Sequence, residues 1–382
     1  MKKTILYYGG FRLHDKNAAA HRVTANGKIL TALGCKMIYL GSSGSKGNLN
    51  EVCHIQNCEY GDMYEETVPK SSFEWLKKLR NTKNVDFVFE NYPELSEIIL
   101  YNLPYKTVKC ISKWAKKHDI KVFYDCTEWS AETDGNKIKK FIKKIDSKSI
   151  INKLCRKLDG IIVISKKMEN HYNKNFNIPV LRVPPLVDIS DSVWHNEPKK
   201  IEGKITFCYA GVIDGNKDYL HYIVNTFYKL QCSYLLLIVI GVTKDQFVKA
   251  YPQFEEIIEN CEDYIEFKQY LSHEETLQYV LGSDYYIFVR PDNIRNNAGF
   301  PTKFVEAYTC GIPIIATNIS DIKDYLSEAE SGTLIDNCSE ESIAHAINAA
   351  LESGNQMVKT KLRDTFDYHF YINEFKRWLE SI

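Results

Sequence analysis

One carboxylate in this chain stands where a carboxylate is costly. Glu306 lies within Phe304-Val305-Glu306-Ala307-Tyr308, a largely apolar helical turn, so it must be solvated in a cleft or meet a polar ligand there. The two hydroxyls of a ribose are one such ligand, because an ionised carboxylate only accepts hydrogen bonds. Lys303 opens the same predicted helix, where uncovered backbone amides and a cation can meet phosphate oxygens together. Its alternative is an ordinary solvated helix lysine. Phe300, Pro301 and Thr302 lead into the helix and belong to the same candidate binding segment.

The flanking residues indicate what positions this pair. Pro301 suits a first helical position, Gly311 a left-handed C-terminal cap, and Ile312 to Thr317 a buried parallel strand. Similar units recur along the chain. Strands are expected at Ile5 to Tyr8, Met37 to Leu40, Val85 to Glu90, Lys121 to Asp125, Gly160 to Ser165 and Val180 to Val187, with helices near Ala18 to Leu33 and Phe73 to Arg80. A polar stretch from Ser190 to Gly203 with little periodicity follows and reads as a linker. A second alternation runs through Ile205 to Ala210, Tyr234 to Ile240, Tyr264 to Phe267, Tyr285 to Val289 and Ile312 to Thr317. Strands alternating with helices mean parallel, doubly wound α/β sheets. Residues 1–189 and 204–365 are therefore read as two Rossmann-like domains, 190–203 as the linker, and 366–382 as a closing amphipathic helix.

Other segments offer weaker chemistry. Gly9-Gly10 ends the first strand and lets backbone approach a ligand, while Ala18 to Ala20 leave the next helix start uncovered. Asp125 and Glu128 follow a strand at the carboxyl end, where such sheets bind ligands; each orients a hydroxyl or contacts a sugar, or else caps the next helix. Gly41 to Gly47 lacks the endings of a phosphate-binding loop and reads as a flexible loop. Between Lys137 and Lys157 there are nine basic residues and one acid, Asp146, with Ile138, Phe141, Ile142 and Ile145 on one helical stripe. Attraction of ~1 kcal/mol per basic residue would dock this helix on an anionic membrane; the alternative is a helix packed on the sheet with a solvated basic face.

Composition bounds the class. The 382 residues allow two domains, and 49 basic against 49 acidic residues argue against a dedicated nucleic-acid binder. Eleven cysteines without a C-x-x-C pair fit a reducing cytoplasm rather than a zinc or disulfide framework. No apolar run reaches membrane-spanning length, and no leader is evident at the first strand.

Glu306-Ala307 followed by Gly311-x-Pro313 and a strand resembles the retaining glycosyltransferases of family 4. The resemblance implies a GT-B architecture, two facing Rossmann-like domains with a C-terminal helix crossing back to the first. It implies a cytoplasmic enzyme, peripheral at the membrane, that moves a sugar from a nucleotide diphosphate, UDP the expected carrier, to a glycan or lipid-linked acceptor of a bacterial surface polysaccharide. No metal or other cofactor is implied; the absence of Asp-x-Asp fits this. By resemblance Glu306 holds the ribose, and Gly211 and Lys217, in Gly211-Val212-Ile213-Asp214-Gly215-Asn216-Lys217, match the family's phosphate loop. Val212 stands where that loop carries Arg, which leaves Arg290 or Arg295 to replace its charge. Ala298 stands where the family's first motif Glu would be. The position of Asp125 and Glu128 matches a family segment that carries His, here absent, and Ser165 and Val183 to Asp188 match architectural positions. The alternatives are a catalytically decayed sugar-nucleotide-binding scaffold and a GT-B sugar-nucleotide epimerase; a nicotinamide-dependent dehydrogenase lacks its glycine fingerprint.

Overall fold

A computed structural model describes residues 3–13, 17–48, 51–58, 61–129, 137–213, 217–326, 332–353 and 363–382. The chain divides into two compact units, one of Met1–Asp188, Ala298–Phe300 and Asp367–Ile382, the other of Ile189–Asn297 and Pro301–Phe366.

The first unit is built on eight strands, β1 (Thr4–Gly9), β2 (Lys36–Gly47), β3 (Val52–Cys58), β4 (Gly61–Pro69), β5 (Leu95–Tyr101), β6 (Lys121–Cys126), β7 (Gly160–Val163) and β8 (Val180–Arg182). Their order is β3-β4-β2-β1-β5-β6-β7-β8. All neighbours pair in parallel except the β3–β4 edge pair, which is antiparallel. The central strand β1, Thr-Ile-Leu-Tyr-Tyr-Gly, is buried throughout, as a sheet covered on both faces requires. The C-terminal helix Ile372–Glu380 completes this core through Phe375 and Trp378. A Cβ on Gly160 would lie 2.9 Å from the Trp378 ring, so β7 needs a glycine for that helix to seat.

Two sequence expectations fail here. Val85 to Glu90 is not a strand but part of the helix Lys83–Asn91, and the strand is β5, ten residues later. Asn84, Val85 and Val88 are its buried residues, a spacing of one helical face that a short apolar run does not distinguish from a strand. Gly41 to Gly47 is not a loop but the outer half of β2, paired to β4 as far as Gly47–Pro69. The register shifts between Ser42 and Lys46, around Gly44 with φ of +72°, so the glycines serve a bulge within a strand. The basic helix is present as Lys137–Lys153; Phe141, Ile142 and Ile145 are exposed on it.

The second unit carries β9 (Ile205–Ala210), β10 (Leu235–Ile240), β11 (Ile265–Lys268), β12 (Tyr285–Phe288), β13 (Ile314–Thr317) and β14 (Gly332–Ile335) in the order β11-β10-β9-β12-β13-β14, all parallel. Counted from β9 this is the doubly wound order 3-2-1-4-5-6, and the order reverses between β9 and β12. Ligands of such sheets sit outside the carboxyl ends of the strands at that reversal. The segment expected to be a linker contains the turn Ser192–His195, whose Trp194 is buried. The Thr302–Thr309 helix ends in a Schellman arrangement: Gly311, at φ +71°, donates to the Tyr308 carbonyl and Ile312 to that of Ala307. Pro301 is the N-cap of that helix, one residue outside the first helical position.

Candidate functional site

Three segments of the second unit converge at the reversal between β9 and β12. Tyr209 and Gly211 close β9, Arg290 follows β12, and Lys303 lies in the first turn of the Thr302–Thr309 helix. Asp218, in the connection after β9, gathers them. Lys303 Nζ donates to Asp218 Oδ2 at 2.5 Å, Arg290 Nε donates to Asp218 Oδ1, and the Tyr209 hydroxyl donates to Oδ2 at 3.1 Å. Lys303 also lies 4.4 Å from the Tyr209 ring centroid, a cation–π contact. Thr317 pins Arg290 from below: its hydroxyl accepts from the Arg290 N–H at 2.9 Å and donates to the Arg290 carbonyl at 2.8 Å. Gly211 leaves room for this lysine rotamer, since a Cβ there would stand 2.8 Å from Lys303 Nζ.

The cluster has more positive than negative charge. Burial pushes the Asp218 carboxyl up, but Lys303 and Arg290 outweigh it and hold the group well below the usual carboxylate range. Lys303 shows the other side: burial draws it down, and repulsion from Arg290 and Lys217 adds to this against the pull of Asp218, leaving it at about 8. One carboxylate therefore neutralises the buried Arg290 and the largely covered Lys303, with Lys217 close enough to repel Lys303. An arriving anion would relieve that repulsion.

Glu306 is one turn along the same helix, half-buried, and its Oε1 lies 3.3 Å from His273 Nε2. His273 begins the helix His273–Gly282, whose N-cap Ser272 forms a capping box with Glu275. The Trp194 ring stands edge-on to the imidazole at 6.4 Å. Of the other expected residues, Thr302 begins the Lys303 helix, Phe300 and Pro301 are buried just before it, and Arg295 is half-buried on the short helix Ile294–Ala298. Asp214, Gly215 and Asn216 lie outside the described residues; Lys217 is half-buried, and Val212 is exposed.

The first unit corrects one expectation outright. Asp125, expected to reach a substrate hydroxyl, is wholly buried. Arg22 Nε and Nη2 donate to its carboxylate at 2.7–3.0 Å, and the Tyr7 hydroxyl donates to Oδ2 at 2.6 Å. The remaining Arg22 donor reaches the carbonyls of Val183 and Pro184 at 2.9 and 3.2 Å. Asn26 adds a donor to Tyr7 at 3.0 Å. This carboxylate is an interior anchor tying β6, β1, the Ala18–Ala32 helix and the chain after β8 together. Glu128 is exposed. Gly9 is required by packing, as its Cβ would lie 2.4 Å from the Tyr101 carbonyl oxygen where β1 meets β5; Gly10 has open space around it. The Ala18 to Ala20 amides are not all uncovered, because Asn17 caps that helix by accepting from Ala20 N at 2.9 Å.

Asp218 and His273 escape a reading of the sequence. Asp218 follows Lys217 in a polar loop and nothing local marks it as buried. Arg22 and Asn26 stand one turn apart on the Ala18–Ala32 helix, and both are buried.

Three solved structures share this architecture. Sucrose-phosphate synthase from Thermosynechococcus elongatus aligns over 100% of this chain and 99% of its own at a TM-score of 0.72 and 12% identity. Anabaena HepE in complex with UDP and glucose aligns over 100% of both chains at 0.67 and 12%. The lipopolysaccharide outer core galactosyltransferase WaaB aligns over 99% of both at 0.63 and 14%. Among curated proteins no sequence matches the chain. Residues 190–367, just under half of the chain and nearly the whole second unit, match the family model "Glycosyl transferases group 1". The chain has a GT-B fold, and the residues that match the group 1 glycosyl transferase model lie almost wholly in the unit that holds Lys303 and Glu306.

Proposed function

We propose that the chain transfers a sugar from a nucleotide diphosphate sugar, UDP-linked, to a glycan or lipid-linked acceptor with retention at the anomeric carbon, as a family 4 enzyme that needs no metal. The observation that carries this reading is the excess of cations around Asp218, one helical turn from the half-buried Glu306. In this reading the donor's diphosphate competes with Asp218 for Lys303 and Arg290. When the bond from the anomeric carbon to the diphosphate breaks, negative charge gathers on the leaving oxygens. Cations already held in place stabilise that charge more than they stabilise the ground state. Glu306 accepts the ribose hydroxyls, with His273 steadying its carboxylate. UDP as carrier is supported by its presence in the HepE structure.

The setting proposed is the cytoplasmic face of a membrane, in surface-polysaccharide synthesis. Its support is the exposure of Phe141, Ile142 and Ile145 on a basic helix; among the described residues no helix is long and apolar enough to cross a membrane. Sedimentation with anionic vesicles at low salt tests it, and an unbound protein would rule it out.

A second reading, a decayed sugar-nucleotide-binding protein, is favoured by Ala298, a buried residue without charge where the family has an acid. A thermal-shift screen of UDP, GDP, dTDP, ADP and CMP on wild type and Glu306→Ala tests the binding they share. A ligand at 100 times its dissociation constant adds ~2.7 kcal/mol. We expect one nucleotide to raise the melting temperature of wild type and to lose that effect in the variant. No shift with any nucleotide would remove the donor site. Turnover of the matching nucleotide-sugar with acceptor then separates enzyme from decayed binder, and product from the nucleotide-sugar alone would indicate an epimerase.

A further inference from the structure

The first unit has a cavity of about 1050 Å³ that none of the preceding chemistry uses. Its walls come from the amino ends of the sheet: Ser96 and Glu97 of β5, Lys121 and Val122 of β6, Lys3 before β1 and Asp159 before β7. That is the edge opposite the carboxyl ends, where doubly wound sheets bind their substrates.

The lining is strongly basic, with nine lysines and arginines against three acids, in a chain whose total charge is zero. Four of the lysines come from one helix and its end, Tyr105–Ala115. Lys106, Lys109, Lys113 and Lys116 recur at steps of three and four, which is one helical face. Arg80 adds charge from a second wall, and Arg156 and Lys157 from a third. Two of the acids are already engaged. Glu97 pairs with Lys3 at 2.6 Å, and Asp159 Oδ2 accepts from the Val122 N–H at 2.7 Å. Arg80, Arg156, Lys157 and the four helix lysines make no ion pair among the described residues. Cations gathered this closely repel one another, and the repulsion is relieved by an anion that several of them can reach together.

The shape and the missing chemistry narrow the ligand. The cavity is concave, whereas a bilayer surface presents a plane of charge. No aromatic side chain lines it, so nothing there stacks a nucleobase. We propose that this cavity binds a soluble ligand carrying two or more phosphoryl groups and recognised through them, at a site separate from the Lys303 cluster.

Calorimetric titration with inorganic pyrophosphate tests this on full-length Lys303→Ala protein, a background that keeps the Asp218 cluster out of the signal. Binding at one site is expected, weakened at least tenfold in Lys303→Ala that also carries Lys113→Glu and Arg156→Glu. Both added changes are at exposed positions, so an unchanged melting curve should accompany the loss; if the curve collapses, Lys109→Gln with Lys116→Gln replaces the pair under the same criterion. Absence of pyrophosphate binding, or equal affinity in the charge-altered protein, would overturn the proposal. So would capture by phosphatidylglycerol vesicles that saturating pyrophosphate fails to reverse, since the cations would then serve a membrane.

Discussion

Two buried aspartates lie beside the carboxyl ends of the two sheets, and their surroundings differ in one respect, charge balance. Asp125 meets one guanidinium, whose remaining donors go to the Val183 and Pro184 carbonyls. Asp218 meets two cations, Arg290 and Lys303, with a third, Lys217, near enough to repel Lys303. A charge-balanced network whose carboxylate is fully engaged has no cation left over for an anionic ligand. An overcharged one is held together by a carboxylate that an incoming anion can replace. The difference separates an architectural ion pair from a candidate phosphate site, although both are buried aspartates next to cations.

The largest effect should come from breaking the balanced side. Arg22→Ala leaves a buried carboxylate without its counter-charge, which costs roughly 3–5 kcal/mol. Urea unfolding should show that loss; a variant as stable as wild type would mean the pair is not an anchor. The overcharged side should behave oppositely. Lys303→Ala leaves Asp218 still paired to Arg290, so stability should change little while affinity for the nucleotide diphosphate falls roughly ten- to a hundredfold, the scale of about 1.5–3 kcal/mol for a hydrogen bond to a charged group. Gly211→Ala should act through the same lysine, because its Cβ would stand 2.8 Å from Lys303 Nζ. An affinity loss smaller than that of Lys303→Ala, with a melting temperature near wild type, is expected from titration and thermal shift.

The legible parts of the sequence were those with local signals. Gly311 at its helix end and the β-branched run of β13 could be read because cap chemistry and strand patterning are local. The helix Lys83–Asn91 was misread because its apolar residues are few enough to fit either period. The outer half of β2 was misread because its glycines and serines carry no hydrophobic pattern; its pairing comes from β4. At the site, Lys303 and Glu306 announced themselves as charges on a short apolar helix. Asp218 could not, because its burial depends on β12 and the Thr302–Thr309 helix, far along the chain. Asp125 was visible but misassigned: its partner Arg22 lies on a helix a hundred residues earlier, and only the fold shows the carboxylate to be occupied.

A gentler probe of the comparison is pH. Lys303 has its pKa lowered from the ordinary 10.5 to about 8 in the folded chain. The unfolded chain therefore binds more protons between those values, and stability rises with pH across that window, the cost of burying the cation being fully present below it. Nucleotide affinity should move the other way, falling several-fold as pH rises through about 8 while Lys303 loses its charge. In Lys303→Ala both inflections should vanish. The smallest effect belongs to the exposed helix of the first unit: Phe141→Ser, at a position 64% exposed, should leave stability within about 0.5 kcal/mol while lowering vesicle binding.

The most direct test compares UDP with uridine by calorimetric titration on wild type and Lys303→Ala. If the overcharged cluster is the diphosphate site, UDP binds wild type far more tightly than uridine does, and the variant loses most of that advantage while its affinity for uridine is unchanged. Equal UDP affinity in the two proteins would contradict the account, and would make the Asp218 cluster an anchor of the same kind as Asp125 and Arg22.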